Sequence, residues 1–171
     1  MEVSLAALVE LVEGAAPALA AHMERTRRLA RRLALELGLS GPVLDLVVRT
    51  ARVHDVGKLA VPDLVHAHPV AGQKILERKP ALLALGPLVR ATHEHWDGEG
   101  YPDGLKGSAI PLPARIVSVC DEFAALTNPL DAHAPMPVDA ALEELDRESG
   151  RRFDPAIIEA FRKLIIWNDL D

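Results

Sequence analysis

Apolar positions recur along this chain at helical spacing almost from end to end, so the pattern predicts an all-α fold with irregular connections and little or no sheet. A short apolar helix is expected from about Ser4 to Val12, ending near Gly14. Pro17 opens the next, which runs through Leu29, Leu33 and Leu37 and stops at Gly38. Arg25, Arg27, Arg28, Arg31 and Arg32 are expected largely on its wet side. Ser40 is placed to cap a third helix, with Pro42 in its first turn. That helix buries Leu44, Val47, Val48 and Ala51 and reaches His54-Asp55 just before Gly57. After a loop at Pro62, two helices are expected over roughly His68 to Lys79 and Ala81 to His95. The segment from Asp97 to Gly104 is dense in turn formers and reads as loop. Pro113 opens a helix through Ile116, Val119, Cys120 and Phe123. A stretch holding Pro129, Pro135 and Pro137 precedes a helix from about Val138 to Glu148, and Asp154-Pro155 starts the last.

Composition narrows this picture. A chain of 171 residues suits one domain with a real core, here residues 1–171, and hardly two. Aromatics are only 4 %, and Leu, Ala and Val carry the apolar content, which favours helices over a β-sandwich. The single cysteine, Cys120, excludes an intrachain disulfide and a cysteine-based zinc site, and fits a reducing cytoplasm. A formal net charge of −6 argues against a surface that wraps duplex nucleic acid. It leaves room for a small phosphorylated substrate, because bound metal ions can supply local positive charge. No secretory leader and no membrane-spanning run is expected.

The chemistry lies in histidines and two aspartates. His54-Asp55 ends an apolar helix, where a carboxylate is costly unless paired or bound to metal. An Asp can bridge two cations while the adjacent His binds one. Taken alone, the pair reads better as a plain helix end closed by Gly57. Asp121 sits on or beside the apolar stripe of its helix, with Val117, Ala124 and Ala125 as neighbours at helical spacing. His22, His68-Pro69 and His93-Glu94 put further imidazoles at the ends or inner faces of other helices, the way metal sites in helical bundles are assembled. Mixed histidine and carboxylate donors suit iron, manganese or zinc better than calcium.

These residues resemble a known family. His54-Asp55-Val56-Gly57-Lys58 resembles the HDxGK element of the HD superfamily of metal-dependent phosphohydrolases. His93-Glu94-His95-Trp96-Asp97-Gly98-Glu99-Gly100-Tyr101-Pro102 resembles the HHExxDGxGYP element of its HD-GYP subgroup. Leu105-Lys106-Gly107, Ile110-Pro111, Ala114 to Asp121, and Gly150 with Phe153-Asp154-Pro155 continue the likeness, which covers about residues 15 to 165. The resemblance implies a helical bundle of about seven helices with a glycine-rich loop, and hydrolysis of cyclic di-GMP to pGpG and often on to GMP. It implies two divalent transition-metal ions, iron or manganese first, with zinc, nickel or magnesium compatible. The implied ligands are His22, His54, Asp55, His68, His93 and Asp121, with Asp55 bridging. Asp55 and Lys58 would carry the catalysis. Lys58, Arg115 and the Gly100-Tyr101-Pro102 loop would meet the substrate.

The sequence also departs from that pattern. Thr92 stands where a first histidine is expected, and a hydroxyl is a weaker ligand. The stretch between Asp55 and His68 is shorter by about one helix, which makes His66 a rival to His68. Leu130 and His133 stand where arginines are expected. Ala18 replaces a glutamate one turn before His22, which points to two metals, not three. Two other readings stay open: a phosphohydrolase acting on another nucleotide or phosphoester, and a non-catalytic interaction or nucleotide-sensing module. The apolar first helix, residues 1–14, reads as a lid on the core, and leaves a homodimer or a signalling-protein partner open.

Overall fold

The computed structural model describes residues 4–62, 64–130 and 134–168. Among them are eight α-helices and no strand, apart from a single bridge between Ser149 and Phe153. The helices are α1 (Leu5–Ala15), α2 (Pro17–Glu36), α3 (Gly41–Val53), α4 (His68–Glu77), α5 (Gly86–Arg90), α6 (Leu112–Thr127), α7 (Val138–Arg147) and α8 (Pro155–Asn168). Short 3₁₀ turns cover Val56–Leu59, Pro80–Leu85 and Gly107–Ala109. None of these helices is long and apolar enough to cross a membrane.

Local signals account for most of the starts. The Ser4 hydroxyl accepts the amide of Ala7, and Asp154 Oδ1 accepts the amide of Ala156. Proline occupies the first turn of α2, α3, α4, α5 and α6. Ser40 precedes α3, but its side chain makes no capping bond.

One expected helix is absent. The segment 81–95 is a 3₁₀ stretch, then the five-residue α5, then a turn. Pro87 lacks the amide a continuing helix needs, and its ring clashes with the preceding turn. His93 therefore sits in a turn, not on a helix face, and α4 ends at Glu77 instead of Lys79.

The core has two main clusters, and α2 and α3 cross both. Ala30, Leu33 and Ala34 of α2 and Val47 and Ala51 of α3 pack with α6, α7 and α8. Leu19 and Met23 of α2 and Val53 of α3 pack with α1, α4 and α5. His22 and Thr26 fall on the buried face of α2 where it passes from one cluster to the other, as do His54 and Asp55 at the end of α3. Cys120 is buried in α6, and burial pushes its thiol well above the ordinary range.

Candidate metal centre

The buried polar residues on that seam converge. His22 comes from the inner face of α2, His54 from the end of α3, Asp55 from the step into the following 3₁₀ turn, and Asp121 from α6. One ligand atom from each lies within 4.8 Å of the others. A second group of the same kind is formed by Asp55, His68 at the first position of α4, and His93 in its turn. Asp55 belongs to both. All six residues expected as ligands are thus brought together in two groups around one fully buried carboxylate.

The imidazoles are held in a particular way. His54 Nδ1 donates to the carbonyl of Ala51 at 2.9 Å, and His68 Nδ1 to that of Val65 at 2.5 Å. A carbonyl can only accept, so Nδ1 carries the hydrogen and Nε2 is turned inward. His54 Nε2 then lies 3.1 Å from Asp121 Oδ1, and His68 Nε2 lies 3.2 Å from Asp55 Oδ1. Asp55 Oδ1 is buried without a hydrogen bond despite that neighbour, and His22 Nδ1 is likewise unpartnered. His68 Nε2 and His93 Nε2 are 2.9 Å apart. Inward nitrogens facing carboxylate oxygens at this spacing need a cation or a proton between them.

The electrostatics agree. Burial pushes the His54 imidazole down, but Asp55 and Asp121 outweigh it and hold it at about 9. Burial pushes both carboxyls up, yet His54, with His68 at Asp55 and His22 at Asp121, holds them well below the usual range. Burial lowers His93 to about 4. In the metal-free protein, a proton on His54 stands in the place of positive charge. Four imidazoles and two carboxylates, gathered in two groups, form a donor set that fits transition metals.

Around these groups the loops fit closely. Lys58 Nζ lies 2.5 Å from Asp55 Oδ2 and is one-third exposed, so it runs from the buried carboxylate to solvent. Tyr101 stacks on His93 with ring centroids 5.3 Å apart, and meets His66 edge-on at 4.5 Å. His66, the rival for His68, is exposed and belongs to neither group, as is also true of the half-buried His95. His133 lies outside the described residues. Thr92 is buried, and its hydroxyl donates to the carbonyl of Val89, so it turns back onto its own segment. Ala18 is exposed on α2 and offers no ligand.

Arg115 is placed otherwise than expected. Its guanidinium donates to Asp154 at 2.6 Å and to the carbonyl of Ile110 at 2.9 Å, beside the Trp96 ring. It anchors the start of α8 to α6.

Two residues take organising roles that the sequence reading did not assign to them. Glu94 is buried and accepts the amides of Asp103 at 2.7 Å and Leu105 at 2.9 Å, which ties the segment after the Gly100-Tyr101-Pro102 turn back to the residues before it. Gly57 lies so close to α4 that a methyl group there would be 1.9 Å from the His68 carbonyl oxygen. The glycine lets the His54-Asp55 turn and the start of α4 touch, which brings His68 to Asp55. Both roles depend on contacts with residues distant in the chain. The only hint in the sequence was their place inside the two motifs.

The chain and its fold are similar to known proteins. A family model described as HD domain matches residues 63–157, beginning after His54-Asp55 itself. The chain is 35 % identical over 160 residues to a cyclic di-GMP phosphodiesterase of Thermotoga maritima, covering 84 % of this chain and 44 % of that protein. It is 36 % identical over 174 residues to the cyclic di-GMP phosphodiesterase response regulator RpfG of Xanthomonas campestris pv. campestris, covering 92 % and 46 %. It thus spans under half the length of these relatives. The crystal structure of a cyclic GMP-AMP specific phosphodiesterase of Vibrio cholerae shares the fold with a TM-score of 0.73 at 21 % identity, over 95 % of this chain and 47 % of that one.

Proposed function

The chain belongs to the HD domain family, and from that premise we propose that it is a metal-dependent phosphodiesterase opening cyclic di-GMP, or a related cyclic dinucleotide, to pGpG and GMP. The observation that carries the proposal is the sharing of Asp55 between two groups of metal-type ligands. His22, His54, Asp55 and Asp121 would hold one divalent transition-metal ion, and Asp55, His68 and His93 a second. Iron or manganese suits these donors best. When bound, such a pair supplies Lewis acidity toward a phosphodiester and makes water a competent nucleophile at neutral pH.

The chain's own residues do the rest. The Ala51 and Val65 carbonyls fix the two imidazoles they bind, so little reorganisation is needed at the moment of reaction. Lys58 sets its ammonium between the buried carboxylate and solvent, toward the phosphoryl oxygens. The Gly100-Tyr101-Pro102 turn, held by Glu94, walls the side next to His93 and limits how a substrate enters. The activities named for the similar proteins support a cyclic dinucleotide as the substrate class.

One observation favours a second reading. With Thr92 turned to Val89, the second group has three protein ligands against four in the first. A chain that lost the second ion would be a nucleotide-sensing module. To decide, the purified chain is reconstituted anaerobically with Fe(II) or Mn(II), its metal content counted, and the products from cyclic di-GMP separated. Two metals with pGpG or GMP formed supports the proposal. Turnover of other phosphoesters alone moves the substrate class. One metal or none, without turnover, overturns both enzymatic readings and selects the sensing module.

A further inference from the structure

Next to the metal centre lies a cationic cleft that the reaction as described does not use. His22 and Asp121 touch at 2.7 Å and join α2 to α6. One turn further along each helix stand Arg25 and Ala124. There the helices part around a cleft of about 230 Å³, lined by Arg25, Arg28, Leu29, Phe123, Thr127 and Asn128. Arg25 was expected on the wet face but is half-buried. Among the described residues no carboxylate lies within ion-pair reach of it, and its Nε is buried without an acceptor. Glu24, the nearest acid along the helix, is taken by Arg27 through two bonds of 2.6 and 2.7 Å, and reaches Arg28 only at 3.6 Å. A guanidinium without a counter-charge, in a chain of net charge −6, marks a place prepared for an anion. A second cleft on the other side of Arg25 is lined by Glu13 and Glu24, so it suits an anion less well.

We propose that Arg25, assisted by Arg28, binds the second phosphodiester of the substrate while the metal centre holds the first. This rests on the cyclic dinucleotide reading given above. Such a ring carries two phosphates, and only one can be cleaved at a time. One helical turn, roughly 5 Å along the axis, separates Arg25 from His22, so both anion sites fall along one face of the α2–α6 interface. Leu29 and Phe123 give the cleft an apolar floor for the adjoining nucleoside, and the Asn128 amide adds a polar group at its end.

The test compares two substrates on the metal-loaded chain: cyclic di-GMP, with two phosphodiesters, and bis(p-nitrophenyl) phosphate, with one. Arg25→Gln is expected to lower kcat/KM for cyclic di-GMP relative to that for the one-phosphate ester by roughly tenfold or more, carried by KM. Arg25→Lys is expected to recover part of the loss. Arg32→Gln, on the exposed side of the same helix, serves as the control and keeps the wild-type ratio. An unchanged ratio in Arg25→Gln, or an equal loss for both substrates with no recovery by Lys, overturns the subsite. Wild-type protein that cleaves only the one-phosphate ester overturns the cyclic dinucleotide reading and the subsite together, and shows this before any variant is compared.

Discussion

In the half of the centre made by His22, His54 and Asp121, long helices with deeply packed inner faces deliver every ligand. In the half made by His68 and His93, one ligand opens a ten-residue helix and the other sits in a turn. Both lean on Asp55, yet they are held by different means. Residues such as Leu33, Ala51, Val117 and Cys120, all fully buried, set the positions of the first group, and close packing transmits little play. A handful of contacts sets the second: Gly57 against His68, Tyr101 against His93, and Glu94 on the loop amides. A site built on helices tolerates change around it, whereas one built on turns depends on each contact.

The largest effect is expected where the two halves meet. Asp55→Ala removes the shared carboxylate, and phosphodiester turnover should fall by roughly 10³-fold as several kcal/mol of metal-borne stabilisation are lost. Steady-state kinetics with metal analysis checks this, and a surviving rate would show that the chemistry lies elsewhere.

The ligand variants split the halves. His93→Ala should release one metal per chain and leave the first group loaded. His54→Ala should weaken the first group and, through Asp55, the second as well. Metal counting by mass spectrometry distinguishes these outcomes, and equal losses in both variants would break the asymmetry.

Gly57→Ala strikes the second half through packing alone. Its methyl group would lie 1.9 Å from the His68 carbonyl and 2.6 Å from the Gly72 amide nitrogen. Backbone must move, at a cost of about 1–3 kcal/mol, and His68 moves with it. Thermal unfolding and metal content should both decline.

His54 and His93 should also respond differently to pH. His54, held at about 9 without metal, must give up a proton when the first ion binds, so that affinity rises with pH, roughly tenfold per unit below that value. His93, held at about 4, has no proton to release near neutrality. The same His54 proton contributes stability to the metal-free protein that is fully present below pH 6.5 and fades as pH rises through about 9. Stepwise calorimetric titrations over roughly pH 6 to 8 should show proton uptake by the buffer as the first ion binds.

The smallest change is Glu94→Gln, which keeps one acceptor oxygen for two loop amides. Loosening the Tyr101 turn should raise KM a few-fold, by about 1 kcal/mol, with metal content intact.

The helices, and the histidines and aspartates that the fold gathers, were readable in advance because their signals are local or chemical. Pro17, Pro42, Pro113 and Asp154-Pro155 mark helix starts within a few residues, whatever the rest of the chain does. Histidines and aspartates on apolar stripes stand out because burial makes them costly without a partner. The break at Gly86-Pro87 was hidden because the apolar period runs on through it. The Arg115–Asp154 pair was hidden for a different reason. An arginine beside a motif looks the same whether it faces a phosphate or Asp154, which lies far along the chain. Glu94 and Gly57 act through backbone groups that only the fold brings near.

The central claim is that Asp55 joins a four-ligand site to a three-ligand site. Anomalous diffraction from crystals of the manganese-loaded chain tests it most directly. Two peaks are expected, both within coordination distance of the Asp55 carboxylate. One should be ringed by His22, His54 and Asp121, and the other by His68 and His93. A single peak, or a second one without Asp55 in its shell, would contradict the claim.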